Sequence, residues 1–304
     1  MQSRKQGNAQ GIDISHHNGV VDWAKVAEDG ISFVFLKASE GRTLVDRTFH
    51  NNTKGARAAG LLVGAYHFVN ATSTGAAELE AKHFADTIRG VHLDLPPVMD
   101  FENNPGSLGR SQISEVAKTF LAELERQIGR KPMIYTGNSF AGNFDASLGA
   151  YPLWIARYST EAPKNAAAWR QWIIWQYSDG QVGGTRQNGS RKVSGVGGYV
   201  DLNEFNGTLA ELRAWAGQTK KDVDKVEKCN INTVSAWAAE NWAEAVANGY
   251  FDGSRPGAGM TREEMAIVVN RLRRNFLRLI AGNAADIASL DKRLQEIEQE
   301  GEKS

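Results

Sequence analysis

Two carboxylates, Asp100 and Glu102, stand two residues apart at the end of the apolar run LPPVMDFE (95–102). On a strand that spacing turns both side chains to one face, roughly 6 to 7 Å apart. At an effective dielectric near 20, ionisation of one costs its neighbour about 2.5 kcal/mol. That is enough to hold a proton on Glu102 near neutral pH, where it can be delivered to a leaving oxygen. The alternative reading is an ordinary pair of solvated carboxylates. Two more acids, Asp13 in GIDIS (11–15) and Asp201 in YVDLNEF (199–205), also sit in strand-like runs.

Aromatic residues accompany these acids. Tyr66, Tyr135, Trp154, Trp175 and Tyr177 lie at or near strand ends, where flat rings can stack on the apolar faces of sugars; the other use of such rings is core packing. Tyr135 and Trp154 are the two expected to face a cleft. Lys37 and Glu40, in FLKASEG, form a candidate rim ion pair that positions other groups. Other motif readings fail. Adjacent His16 and His17 face opposite sides of a strand and have no third ligand in reach, so no metal is expected. Ser15 and Ser39 lack a nucleophile elbow. The Gly-rich stretch 183–198 has no phosphate-loop pattern and reads as a flexible loop, on which Arg186, Arg191 and Lys192 are candidate contacts for an anionic substrate. No cofactor is implied.

The elements that must position these residues follow from hydrophobic patterning. Eight runs rich in β-branched and aromatic residues read as strands: 11–15, 31–39, 61–69, 95–102, 132–137, 152–158, 171–178 and 199–205. Several are apolar on successive residues, as strands buried on both faces are. Helical spacing fills 20–29, 46–59, 74–89 and 111–128, the last beginning at Ser111 with Glu115 in its first turn. Later connections are short or Gly-rich. The expected fold is therefore α/β, an eight-stranded barrel with helices over its first half. In a parallel barrel the reactive groups lie at the C-terminal strand ends. Closure makes strands one and eight neighbours, so Asp13 and Asp201 meet, facing Asp100 and Glu102 across the mouth.

Composition limits the rest. The 304 residues carry 35 Lys+Arg and 35 Asp+Glu, so no overall field draws the chain to nucleic acid or an anionic membrane. No run approaches the roughly 20 apolar residues of a membrane span. The start MQSRKQGNAQ lacks the apolar segment of a secretion signal, so cytoplasmic synthesis and another exit route are expected. One cysteine, Cys229, excludes an internal disulfide. The lysine-rich stretch 217–230 reads as a linker between a barrel (1–216) and a helical domain (231–304).

The pieces GIDISHHNG, FVFLKASEG, GAYHF, PVMDFE, PMIYTG, PLWIARY, IIWQYS and YVDLNEFNG, in that order, resemble the glycoside hydrolase family 25 lysozymes, muramidases found in phage endolysins and bacterial autolysins. The resemblance implies an irregular TIM-like barrel of five βα units followed by three strands. It also implies cleavage of the β-1,4 bond between N-acetylmuramic acid and N-acetylglucosamine in peptidoglycan. By it, Glu102 is the general acid, Asp100 the assisting carboxylate, and Asp13 and Asp201 a supporting rim pair. Rival readings are a non-catalytic glycan-binding barrel and a chitin-directed glycosidase.

Near the C-terminus, WAEAVANGYFDG and MTREEMAIVVNRL resemble one S-layer homology motif, which implies binding of a secondary cell-wall polymer. Thr261 and Glu264 read as a capping box opening the second helix. Phe276, Ile280, Ile287, Leu290, Leu294 and Ile297 fall at coiled-coil steps. That stripe either pairs two chains as a homodimer or folds back on the small domain. Arg271, Arg273, Arg274 and Arg278 either meet an anionic polymer or form a solvated face. Together these expectations describe a phage endolysin made in the host cytoplasm and acting on the bacterial wall.

Overall fold

The computed structural model describes residues 1–181, 189–217, 234, 239–255 and 262–301. The chain divides into two compact units, Met1–Thr219 and Lys220–Ser304. The first is the expected barrel. Its strands are β1 (Gln10–Ile14), β2 (Ile31–Glu40), β4 (Leu62–Phe68), β5 (Val98–Asp100), β6 (Met133–Gly137), β7 (Leu153–Ala156), β8 (Ile174–Ser178) and β9 (Asp201–Phe205). A two-residue strand β3 (Leu44–Val45) folds back on the end of β2.

Pairing runs β1–β2–β4–β5–β6–β7–β8 in parallel except between β1 and β8, where β9 is inserted antiparallel to both. That reversal departs from an all-parallel reading in a way that matters. Asp201 is the first residue of β9, not near its end, and the reversed strand direction brings it to the same rim as the C-terminal ends of the others.

Helices α1 (Trp23–Glu28), α2 (Phe49–Ala58), α3 (Thr74–Thr87) and α4 (Arg110–Ile128) follow the first four barrel strands. The fifth connection contains only two 3-10 turns, Phe140–Asn143 and Ala146–Ala150, so four α-helices, not five, cover the βα half among the described residues. Helix α4 starts one residue before Ser111. Its cap is Gly109, whose N–H donates to the Gln112 side chain at 2.9 Å. A last helix, α5 (Leu209–Trp215), opens with a capping box between Thr208 and Glu211.

Strand alternation sorts the core into two layers. Phe33, Phe35, Val98, Met133, Ile174 and Phe205 fill the barrel interior, whereas Val34, Leu36, Val63, Met99, Ile134 and Ile155 face outward onto helix residues such as Phe84, Phe120 and Leu124. Burying a side chain of this size stabilises the fold by about 1.5 to 3 kcal/mol. Room for Phe33 and Phe35 depends on glycine: a Cβ at Gly11 would lie 2.3 Å from the Phe33 ring, and one at Gly64 2.2 Å from Phe35.

The Gly-rich stretch read as a flexible loop is tied down over its described part. Val193 and Val200 are buried, Asp22 N–H donates to Gly195 O at 2.9 Å, and Arg191 pairs with Asp29. Arg191 is thus engaged away from any substrate, and Lys192 lies over the Tyr199 ring. Arg186 lies outside the described residues.

In the second unit, α6 (Ala239–Ala247) is followed by a turn whose Phe251 stacks on Trp242 of the helix with centroids 5.0 Å apart. Helix α7 (Arg262–Gly301) is 40 residues long. Arg271 donates to Gly249 O and Tyr250 O, and Asn275 to Asn248 O, so Arg271 holds the end of α6. Glu264 pairs with Arg255, while Thr261, the other half of the expected capping box, lies outside the described residues. Phe276, Ile280, Ile287 and Leu290 are exposed. The side chains of Leu294 and Ile297 are not among those described.

Candidate active site

At the C-terminal rim, inward-facing strand positions converge on one cavity of about 260 Å³. Asp13 (β1), Asp100 (β5), Glu102 just beyond β5, and Asp201 (β9) all line it. Asp13 and Asp201 are register partners across the β1–β9 pair. The strand ends at Asp100, so Glu102 rides on the following coil and reaches solvent while Asp100 is only 5% exposed.

Amides on the last two strands hold the rim pair. Gln176 Nε2 and Asn203 Nδ2 donate to Asp13 Oδ2 at 2.9 and 2.8 Å. The Gln176 oxygen accepts from the Tyr135 hydroxyl (2.9 Å), and the one Tyr158 hydroxyl proton is shared between the Gln176 oxygen (3.0 Å) and Asp201 Oδ1 (3.2 Å). Asn203 Oδ1 accepts the Trp154 indole N–H at 2.8 Å. Each amide thus bridges an acid to an aromatic ring. Among the acids of the cavity, Asp100 differs: its Oδ1 is buried and has no hydrogen-bond partner among the described residues, so it is open to a donor from substrate or water.

Crowding of acids in a partly dry pocket raises their pKa values. Burial first, then the Asp201 charge, pushes Asp13 well up, against the two amide donors. Asp201 is raised by burial to about 6, against the Tyr158 hydroxyl; the two titrate as a pair. Asp100 is pushed well up by burial and then by Glu102, with Lys37 opposing. Glu102 is raised by its surroundings and by Asp201, with the Tyr135 hydroxyl opposing. Besides burial, the charge that raises Glu102 is that of Asp201 and not that of its near neighbour Asp100, which departs from the expectation from spacing.

Among the expected aromatic contacts, Tyr66, Tyr135 and Trp154 line the cavity. Trp154 forms its floor, 2% exposed and stacked on Phe35 at 4.6 Å. Lys37 lines the wall, with Nζ 2.6 Å from Glu40 Oε2. Trp175 and Tyr177 do not reach the cavity. They are odd-numbered on β8 and point outward, where Trp175 packs on Trp172 and Tyr177 lies under Arg4 at 3.4 Å. Their expected role as substrate contacts is therefore corrected to packing in the outer layer.

Gln176, Asn203, Tyr158 and His17 were missed. Gln176, Asn203 and Tyr158 are the inward alternates of runs already read as strands, so period-two counting would have found them, although the observed β7 stops at Ala156; His17 sits in a 3-10 turn beyond β1. A second, open cleft of about 490 Å³ shares Glu102 and Tyr158 with the cavity and extends past Asn138, Ser139, Arg157 and Lys164.

Comparison with known proteins places this architecture. The family model described as "Glycosyl hydrolases family 25" matches residues 12–185. Lysozyme M1 of Streptomyces globisporus is 34% identical over 69% of this chain and 72% of its own length. The crystal structure of the bacterial lysozyme from Streptomyces coelicolor superposes with a TM-score of 0.60 at 30% identity, covering 71% of this chain and 100% of that one. The CTP1L endolysin matches 88% of this chain and 99% of its own, with a TM-score of 0.58 and 25% identity. The chain belongs to glycosyl hydrolase family 25 and is a glycoside hydrolase.

Proposed function

We propose that this protein hydrolyses peptidoglycan at the β-1,4 bond between N-acetylmuramic acid and N-acetylglucosamine. The observation that carries the reading is the meeting of Asp13, Asp100, Glu102 and Asp201 around one cavity floored by Trp154. Relatives named as lysozymes support the substrate.

Glu102, the acid nearest solvent, protonates the glycosidic oxygen. Asp100 and Glu102 come from one short segment and do not flank a bond from opposite sides, as a nucleophile and acid pair would. The 2-acetamido oxygen of the muramic residue therefore attacks the anomeric carbon, forming a C–O bond as the leaving oxygen departs with the Glu102 proton. The orphan Asp100 Oδ1 accepts the acetamido N–H. Positive charge developing on the acetamido group is stabilised by the Asp100 carboxylate beside it. Water then attacks the anomeric carbon and breaks its bond to the acetamido oxygen, restoring the acetamide, while the water proton passes to the Glu102 carboxylate, with retention. Asp13 and Asp201 hold the opposite wall in place.

The role is that of a phage endolysin, made in the host cytoplasm and causing host lysis; the similarity to an endolysin over most of the chain supports this. Residues 1–216 are the catalytic part and 231–304 an S-layer-homology-like part that meets a secondary wall polymer. The exposed stripe on α7 pairs two chains into a homodimer. Digestion of purified walls tests the reaction: a new reducing N-acetylmuramic end formed first as the β-anomer supports it. A reducing N-acetylglucosamine end or an inverted product overturns it.

A further inference from the structure

The open cleft beyond Glu102 has a chemical character of its own. If Glu102 protonates the scissile oxygen, the deep cavity holds the muramic residue that reacts, and the cleft takes the leaving N-acetylglucosamine with the muramic residue that follows it. The cleft has two cations among its lining residues, and they differ. Arg157 is committed: its guanidinium donates to Glu161 Oε2 at 2.6 Å and to Ala162 O at 2.8 Å. The Lys164 ammonium has no partner among the described residues. Its backbone is nevertheless fixed. Lys164 N–H donates to Asn138 Oδ1 at 2.8 Å, Asn138 N–H to Ala156 O at 2.9 Å, and the N-terminal ammonium of Met1 to the carbonyl of buried Pro163 at 2.9 Å.

Lys164 is exposed, so water solvates its ammonium, and a neutral sugar gains little from that charge on an anchored segment. Peptidoglycan gains more, because it carries carboxylates, either on its peptide stems or, once these are removed, on its lactyl ethers. We propose that the cleft of Asn138, Ser139, Arg157, Ser159 and Lys164 takes the leaving-group side of the glycan, and that Lys164 recognises a carboxylate borne there. This rests on the hydrolase reading above and names what that site selects.

The test measures binding, so that it is separable from turnover. Soluble glycan fragments are prepared with stems intact, with stems stripped by an amidase, and with stem carboxylates converted to amides by carbodiimide and ammonia. Kd is measured by calorimetry for Glu102→Gln and for Glu102→Gln with Lys164→Ala or Lys164→Arg. Lys164→Ala is expected to weaken binding of a carboxylate-bearing fragment about fivefold, Lys164→Arg to restore most of it, and the penalty to shrink on the amidated fragments and in raised salt. A penalty confined to intact or to stripped fragments identifies which carboxylate is bound. Equal penalties on charged and amidated fragments, or none on either charged one, overturn the proposal. Absence of hydrolysis by the parent enzyme would instead overturn the hydrolase reading.

Discussion

Asp13 and Asp201, separated by almost the whole barrel sequence, are direct partners across the antiparallel β1–β9 ladder. Both carboxyls are raised by burial and sit within one hydrogen-bonded group. A folded-state pKa above the unfolded value means that the folded protein binds the extra proton, so stability falls as pH rises from about 4 through about 6. Asp201→Asn removes one member of the pair. The variant should gain about 1 kcal/mol over the parent at pH 7.5, the partly exposed position limiting the effect, and the difference should vanish at pH 4. Thermal melts across that range check it, and a variant less stable at pH 7.5 than at pH 4 relative to parent would refute the sign.

Gln176 connects more of the site than any single acid, since its amide serves Asp13, Tyr135 and Tyr158 together. Gln176→Leu keeps the bulk and removes both dipole ends, leaving buried polar groups without partners. A loss of about 2 to 4 kcal/mol is expected from urea unfolding, together with a fall in kcat. Gln176→Glu keeps the acceptor for the two tyrosines but loses the donor to Asp13 and buries a carboxyl beside it, so it should destabilise more as pH rises and shift the pH profile.

Trp175 and Tyr177 give a contrasting expectation. Trp175→Ala should cost about 3 to 5 kcal/mol of stability, because its ring is buried against Trp172, while the folded fraction keeps the parental KM. A KM raised severalfold with stability intact would return these rings to the cleft.

These cases show what the sequence carries. The strand runs and the four acids are legible because hydrophobic periodicity and residue type are local properties. Orientation was only partly used: alternation from Gln176 would have sent Trp175 and Tyr177 outward. The direction of β9 is not local, since it shows only in its antiparallel pairing with both β1 and β8. How burial acts on Asp100 and Glu102 was beyond reach for the same reason, because spacing gives only their mutual repulsion whereas burial depth, the first cause for both, is decided by the whole rim.

The stripe on α7 is exposed at Phe276, Ile280, Ile287 and Leu290, and the homodimer reading makes it a contact between chains. Light scattering of the full chain should give twice the 33.2 kDa chain mass, and Ile287→Lys with Leu290→Lys should return it to the monomer without altering barrel activity. A monomeric parent refutes the pairing.

Glu102 and Asp100 should separate by leaving group. Glu102→Gln removes the proton donor and should lower turnover of wall glycan about 10² to 10⁴-fold, with folding intact because the side chain reaches solvent. A substrate whose leaving group needs no protonation, such as an aryl glycoside of N-acetylmuramic acid, should recover most of that loss. Asp100→Asn keeps an oxygen but cannot ionise beside the attacking acetamide, so its defect should persist with either leaving group. The alkaline limb of kcat/KM reports the loss of the Glu102 proton. Since the Asp201 charge raises Glu102, Asp201→Asn should move that limb to lower pH. A limb that stays in place would assign it to another group, and equal rescue of both variants would remove the division of labour between the two carboxyls.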